Sequence, residues 1–269
     1  MWKKGKKQKS EFDTFRGMNK NLKEIEYQKI SRKETTKETE DVTQHMEESP
    51  FEIFTSDTIK ILACITMLID HMAIFLVGQE QNPGLYLLMR LIGRLSFPLF
   101  AFLIVQGFMH TRNVRNYILR ILAFAVVTEV IYDYAFFGEY VYVGKQNALF
   151  TLVIGLLALT GMRHFKDKTG ATIGFGLLAC AVALFLNSDF TFYGVLMIIF
   201  FYFDQFDRIG RIFSILLLNI IMGGLQPAAS FALIFTEMYK ERERKLPKYC
   251  FYVFYPLHLL ILALLRNYV

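Results

Sequence analysis

Long apolar runs, separated by short polar loops, occupy the chain from about residue 54 onward. Hydrophobic side chains fill nearly every position of these runs, whereas the helices of a soluble protein carry an apolar stripe on one side only. A helix that is apolar all round is typical of lipid surroundings or of a deeply buried position. A whole chain of such runs predicts an all-α integral membrane protein.

The runs divide into about nine predicted transmembrane helices. They cover residues 57–77, 85–108, 116–137, 147–162, 171–187, 191–203, 212–225, 227–239 and 249–266. The early runs reach the roughly 20 residues that cross ~30 Å of hydrocarbon. Three later runs are shorter, so they are expected to tilt, to extend into a loop, or to form a re-entrant pair around Gly223 and Gly224.

The first 50 residues differ sharply in composition, with 12 Lys or Arg and 10 Asp or Glu. A segment so charged buries too little apolar surface to fold alone, so residues 1–54 are predicted to be a separate, mostly disordered tail. Between residues 12 and 25, apolar side chains recur at three- and four-residue steps. This pattern indicates a short amphipathic helix on the membrane surface, and a partly ordered linker fits it equally well. The predicted membrane domain is then residues 55–269.

Positive charge indicates which side of the membrane each loop occupies. Alternate loops are basic and the intervening loops contain a single cation, Lys145. The basic loops hold Arg112, Arg115, Arg163, Lys166, Lys168, Arg208, Arg211, Lys240, Arg242, Arg244, Lys245 and Lys248. Because such loops stay in the cytosol, the tail is predicted to be cytosolic and the C-terminus near Val269 to lie outside. The net charge of +6 indicates contact with membrane lipids rather than nucleic acid.

Polar and ionisable residues within the predicted spans collect towards the outer side of the membrane. They are Asp70, His71, Arg90, Arg94, Glu129, Asp133, Asn147, Asp189 and Tyr193. Charges inside a membrane are costly and mark functional sites by default. Arg90 and Arg94 are four residues apart, as are Glu129 and Asp133, so each pair shares one helix face. We expect the two arginines to face the two carboxylates, either as structural ion pairs or as substrate contacts.

His71 is the leading candidate for chemistry and the only histidine expected in this outer cluster. Neutral imidazole accepts a proton near physiological pH, which suits a general base. Adjacent helical residues point about 100° apart, so Asp70 is expected to reach an arginine of the second span rather than His71. His258, midway along the last span, is a second candidate base, and a packing role fits either histidine. The chain shows no zinc-like spacing of His and Cys, so no metal is expected.

Five segments, in this order, resemble the TraX family of polytopic membrane proteins. They are residues 59–72 with Asp70-His71-Met72, Arg90-Leu-Ile-Gly-Arg94-Leu-Ser-Phe-Pro-Leu-Phe-Ala-Phe102, Asn147-Ala-Leu-Phe-Thr-Leu152, Asp189-Phe-Thr-Phe-Tyr-Gly-Val195 and Phe254-Tyr-Pro-Leu-His258-Leu. The similarity covers about residues 55–266. That family is associated with N-terminal acetylation of pilin subunits and is similar to the wider transmembrane acyltransferases. The resemblance therefore implies acetyl-CoA as a cytosolic donor.

The sequence hypothesis is a multi-pass acyltransferase of the cell membrane that transfers an acetyl group to nitrogen or oxygen. The acceptor, at the outer half of the membrane, would be a peptide, a protein N-terminus or a cell-surface glycan. The catalytic candidates are His71, Asp70, Arg94 and His258. The candidates for substrate binding are Arg90, Glu129, Asp133, Asn147, Asp189 and Tyr193, and those for the CoA phosphates are Arg112, Arg115 and Arg120.

Two other functions remain open from the sequence. A transporter or flippase would also use paired charges inside the membrane. A non-catalytic membrane scaffold that grips an apolar peptide would need only the polar cavity. Neither the acceptor nor the oligomeric state follows from the residues.

Overall fold

The structure is a computed structural model that describes residues 53–203, 207–241 and 247–266. Nearly all of the predicted tail, the centre of the last basic loop and the C-terminal residue Val269 lie outside these ranges. The predictions made for the tail and for the position of the C-terminus therefore concern residues beyond those described.

Helices account for all nine predicted segments. The α-helices are α1 (Ser56–Met72), α2 (Pro83–Gly93), α3 (Ser96–His110), α4 (Val114–Phe137), α5 (Ala148–His164), α6 (Thr169–Phe185), α7 (Thr191–Phe203), α8 (Arg208–Met222), α9 (Ala232–Glu237) and α10 (Lys248–Arg266). A π-helical turn, Ala73–Val77, extends α1, and a 3-10 turn, Gln226–Phe231, precedes α9. The described residues contain isolated bridges but no strand. The all-α class is confirmed.

Within the described residues, two helical stretches are long and apolar enough to cross a membrane. They are Ser56–Val77, with 22 residues, and Pro83–His110, with 28 residues. Helices α5, α6, α7 and the part of α10 from Phe251 are shorter and also apolar. Large apolar side chains point away from the bundle, and Phe185 is 88% exposed. These surfaces are those of a membrane protein.

The second predicted span is not one continuous helix, so the prediction of a single helix over residues 85–108 was wrong in this detail. A turn at Arg94 and Leu95 separates α2 from α3. Pro98 has no N–H to donate to the Arg94 carbonyl, and its ring crowds that oxygen. The turn is tightened by a bond of 3.2 Å from the Leu95 N–H to the Ile92 carbonyl. The break places Arg94 at the corner between the two helices.

Helices α8 and α9 form a hairpin, which is one of the arrangements that the short later runs left open. Gly223 and Gly224 make the turn with φ of 66° and 57°, in the left-handed region that glycine adopts at little cost. Arg211, at the start of α8, donates from Nε and Nη2 to the two oxygens of Glu237, at the end of α9, each at 2.7 Å. The chain therefore returns to the level from which α8 began.

The ends of the helices gather in two groups. In one group, Ile53 N–H and Phe54 N–H donate to the Met238 carbonyl, and His110 Nε2 lies 3.0 Å from Glu241. We call it the basic end, because it includes the basic loops at residues 111–113 and 207–211. In the other group, which we call the opposite end, Gln146 N–H donates to the Asn187 carbonyl. Helix α1 therefore begins, and helices α3 and α9 end, at the basic end, whereas α5 begins and α6 ends at the opposite end.

Candidate active site

A cavity of about 790 Å³ lies between the helices. Lys60, His110 and Arg120 line it near the basic end, and Lys145 and Asp189 line it at the opposite end. Its volume is within the range of small-molecule sites. Apolar side chains also line it, among them Phe100, Leu103, Ile104, Ile121, Leu149 and Leu152. The cavity therefore combines an apolar lining with polar side chains near both of its ends.

Asp70, near the end of α1, holds both arginines of the second span. Its Oδ2 accepts a hydrogen bond of 2.5 Å from Arg90 Nη1, and Arg94 Nη2 lies 3.3 Å from both carboxylate oxygens. The three side chains are 13–18% exposed and line the cavity. The expectation that Asp70 reaches an arginine is confirmed. With two cations on one carboxylate, this Asp70 cluster carries one uncompensated positive charge.

Gly93 allows this cluster to form. A Cβ atom at position 93 would overlap the Asp70 side chain at Oδ1, Cβ and Cγ. These atoms are close to the backbone of α1 and have little freedom to move. The absence of a side chain at Gly93 brings α2 against α1, so that Arg90 and Arg94 reach the carboxylate from adjacent positions.

His71 and His258 form a hydrogen-bonded pair. His71 Nδ1 lies 2.7 Å from His258 Nε2, and His258 Nδ1 donates to the Phe254 carbonyl at 2.8 Å. His71 lines the cavity, whereas His258 is 5% exposed and lies behind it. The expectation that His71 is the only histidine of the cluster was wrong, because α10 packs against α1 and brings a second imidazole to it.

The predicted pairing of two arginines with Glu129 and Asp133 is contradicted. Glu129 Oε2 accepts hydrogen bonds from Asn147 N at 3.0 Å and Asn147 Nδ2 at 2.5 Å. Asp133 Oδ2 accepts one of 2.8 Å from Tyr142 N. The two carboxylates do share a face of α4, as their spacing indicates. That face meets the loop before α5, where free backbone N–H groups attract negative charge.

Asn147 joins α4 to the start of α5. Its side chain is fully buried, donates to the Ala125 carbonyl and caps α5 by accepting from Leu149 N at 2.9 Å. Asn147, Glu129 and Asp133 are absent from the residues that line the cavity within the described part of the chain. We call these three residues the helix-end cluster.

Asp189 and Tyr193 do line the cavity, at the start of α7. Asp189 pairs with Lys145 at 2.8 Å. The Tyr193 hydroxyl donates to Asn219 Oδ1 at 2.7 Å, and Asn219 Nδ2 donates to Ser230 at 2.9 Å. This chain of hydrogen bonds ties the cavity wall to the α8–α9 hairpin.

The three arginines predicted to bind phosphate differ in position. Arg120 lines the cavity, with its guanidinium 5.6 Å from the ring centre of Tyr117 and 5.7 Å from that of Tyr252. Its Nε is buried and has no hydrogen-bond partner among the described residues. Arg112 and Arg115 are exposed and are not part of the cavity lining. Only Arg120 can therefore meet a ligand inside the cavity.

Sequence reasoning did not find two tyrosines that line the cavity near His71, Tyr132 and Tyr255. Tyrosine is common in apolar helices, so composition gives no signal. Spacing does give one for Tyr255, which lies three residues before His258 and hence on the same side of α10.

Together these features define a helical membrane protein with a polar, histidine-containing cavity. The chain belongs to the TraX family, because the family model described as TraX protein matches residues 55–266. Over 113 residues the chain is 33% identical to "Probable fimbrial assembly protein FimC, serogroup H1" of Dichelobacter nodosus. That alignment covers 39% of this chain and 46% of the relative, so the chain spans about half the relative's length. No solved structure matches the chain. The family predicted from the motifs is confirmed.

Proposed function

We propose that the chain is a multi-pass acyltransferase of the cell membrane that moves an acetyl group from acetyl-CoA to an acceptor across the cavity. The observation that carries the proposal is the cavity itself, whose lining includes polar groups at both ends together with His71 and the Asp70 cluster. A donor and an acceptor that enter from opposite ends would meet at His71.

The donor is assigned to the basic end, which we propose is cytosolic. CoA is rich in phosphate, and guanidinium groups bind phosphate with several directed hydrogen bonds. The buried Nε of Arg120 lacks a partner among the residues described, and a phosphate oxygen would supply one. We therefore assign the phosphates to Arg120 rather than to Arg112 or Arg115.

The chemistry assigns a role to each group in the cavity. The nitrogen or oxygen of the acceptor attacks the thioester carbonyl, and His71 takes its proton. Arg90 and Arg94 donate to the oxygen on which negative charge develops, and Asp70 orients both guanidinium groups. The C–S bond then breaks, and the proton held by His71 passes to the leaving thiolate.

The acceptor is assigned to the opposite end, where Asp189 and Lys145 line the cavity. The curated relative is named as a probable fimbrial assembly protein, which favours a pilin-like peptide or protein N-terminus. A hydroxyl group of a cell-surface glycan would be acetylated by the same steps.

Cysteine labelling of intact cells tests the orientation of the protein in the membrane. A membrane-impermeant reagent should label a cysteine at residues 79–82 but not at residues 111–113. The reverse pattern would contradict it.

The experiment that tests the activity uses purified protein in lipid nanodiscs with acetyl-CoA labelled on the acetyl group. We expect release of CoA and transfer of label to an amine-bearing peptide, both lost in His71→Gln. His164→Gln is the matched control, because His164 is exposed at the end of α5. If the protein neither binds acetyl-CoA nor turns it over, the acyltransferase proposal is contradicted.

A transporter or flippase is the second candidate, because a cavity with polar groups at both ends also suits a substrate pathway. The same experiment separates the two functions. An acyltransferase breaks the thioester, whereas a transporter leaves every substrate chemically unchanged.

A further inference from the structure

The hydrogen bonds of the histidine pair have a direction that follows from the acceptors involved. A carbonyl oxygen only accepts, so the 2.8 Å contact between Phe254 O and His258 Nδ1 requires a proton on Nδ1. In a neutral imidazole the other nitrogen then carries a lone pair, so His258 Nε2 is an acceptor. The 2.7 Å contact with His71 Nδ1 therefore requires that His71 donate.

The ring geometry supports a directed hydrogen bond. The ring centres of His71 and His258 are 4.9 Å apart and their planes differ by 20°. This separation is close to the 2.7 Å N–N distance plus the radii of two imidazole rings. The rings consequently lie edge to edge in nearly one plane, so that the His71 N–H points along the lone pair of His258.

The surroundings hold His258 in this orientation. Its Nδ1 is bound to a carbonyl one turn earlier on its own helix, and its ring stacks on Phe254, with ring centres 4.9 Å apart. Its side chain is 5% exposed and does not line the cavity. His258 can therefore orient His71 but does not reach a substrate in the cavity.

We infer that His258 is a positioning residue that keeps the proton of His71 on Nδ1 and so leaves Nε2 of His71 as the proton acceptor. This inference rests on the proposed function and deepens it, because it names the atom that receives the acceptor's proton. It also removes His258 as a second base. Without His258, a neutral His71 could carry its proton on either ring nitrogen. In the form protonated on Nε2, that atom has no lone pair and cannot accept the proton of the acceptor.

The direct test is nitrogen NMR of protein labelled with ¹⁵N in its histidine rings. In solution a protonated ring nitrogen and a bare one resonate at well-separated frequencies, so the spectrum reports where each proton lies. His45, His110 and His164 are replaced by Gln, which leaves the pair as the remaining histidines of the chain. We expect the proton of His71 on Nδ1 and that of His258 on Nδ1. A His71 ring protonated on Nε2 would overturn the inference, and this measurement needs no variant of either paired residue.

Kinetics supply the second test. His258→Phe keeps a ring of similar size without the acceptor, and transfer should fall by about 10² in kcat, while KM for acetyl-CoA changes less than twofold. His258→Gln keeps an oxygen that can accept from His71 and should regain at least tenfold over His258→Phe. Equal activity of His258→Phe and wild type would overturn the positioning role. The expected spectrum without any acetyl transfer would instead support the hydrogen-bond direction and count against the acyltransferase.

Discussion

The Asp70 cluster and the helix-end cluster show two uses of a buried carboxylate. Asp70 binds side-chain guanidinium groups from another helix, and all three groups line the cavity. Glu129 binds the backbone and side chain of Asn147, away from the cavity. Backbone donors at a helix start have one fixed position, so Glu129 stabilises the junction of α4 and α5. An arginine has five N–H donors, so Arg90 and Arg94 retain donors for a ligand after binding Asp70.

The largest expected effect on the rate of acetyl transfer is at His71, which lines the cavity with the Asp70 cluster. His71→Gln preserves size and hydrogen bonding but removes proton acceptance. Loss of a general base costs about 10²–10⁴ in rate, so acetyl transfer should fall by at least about 10² while the protein still accumulates and binds acetyl-CoA. The measurement is label transfer by purified protein, with His164→Gln as control. Near wild-type transfer by His71→Gln would show that the imidazole only packs.

The next effect concerns the free energy of unfolding. It tests whether Arg90 pairs with Asp70 or with Glu129. Arg90→Met removes one charge-assisted hydrogen bond to Asp70, whose carboxylate keeps Arg94, and such a bond contributes about 1.5–3 kcal/mol. A double-mutant cycle of Arg90→Met with Asp70→Asn should show a coupling of about 1–3 kcal/mol in unfolding free energy, whereas a cycle of Arg90→Met with Glu129→Gln should show none. The midpoints of denaturant-induced unfolding in detergent give both values. Coupling between Arg90 and Glu129 would restore the pairing that the spacing predicted.

A smaller effect is expected at the basic end of the cavity. Arg120→Met removes a charged hydrogen-bond donor worth about 1.5–3 kcal/mol, so KM for acetyl-CoA should rise at least about tenfold with little change in kcat. Arg112→Met is the matched control, because Arg112 is exposed and outside the cavity. Equal KM values for the two variants would contradict a phosphate contact at Arg120.

The smallest effect belongs to the helix-end cluster. Glu129→Gln retains one acceptor oxygen for Asn147 but loses the charge, so the unfolding free energy should fall by about 1 kcal/mol. KM for the acceptor and kcat should stay within twofold of wild type in the folded protein. A tenfold rise in the KM of the acceptor would instead make Glu129 a substrate contact, as the sequence alone suggested.

Hydrophobic runs predicted the helical segments well because lipid and buried helix faces select for apolar residues regardless of the neighbouring helix. The break at Arg94 could also have been predicted, since Pro98 deprives the Arg94 carbonyl of its donor. The depth of Arg120, two turns inside α4, similarly distinguishes it from Arg112 in the preceding loop. These features depend on residues close together in the chain.

The pairing of side chains between helices was harder to predict. Spacing placed Glu129 and Asp133 on one face of α4, but spacing does not say which neighbour that face meets. His71 and His258 are separated by 187 residues, and their contact depends on how α1 and α10 pack. Local sequence patterns carry no information on that packing, so both histidines were predicted as candidates without their hydrogen bond.

The α8–α9 hairpin has a consequence for biosynthesis. Arg211 and Glu237 are 26 residues apart, so their pairing involves no residue of α10. The ion pair closes the two open ends of the hairpin, and the turn at Gly223 and Gly224 contains no charged residue that must cross the lipid. The hairpin is therefore suited to enter the bilayer from the basic side as a single unit, with no charged loop to translocate.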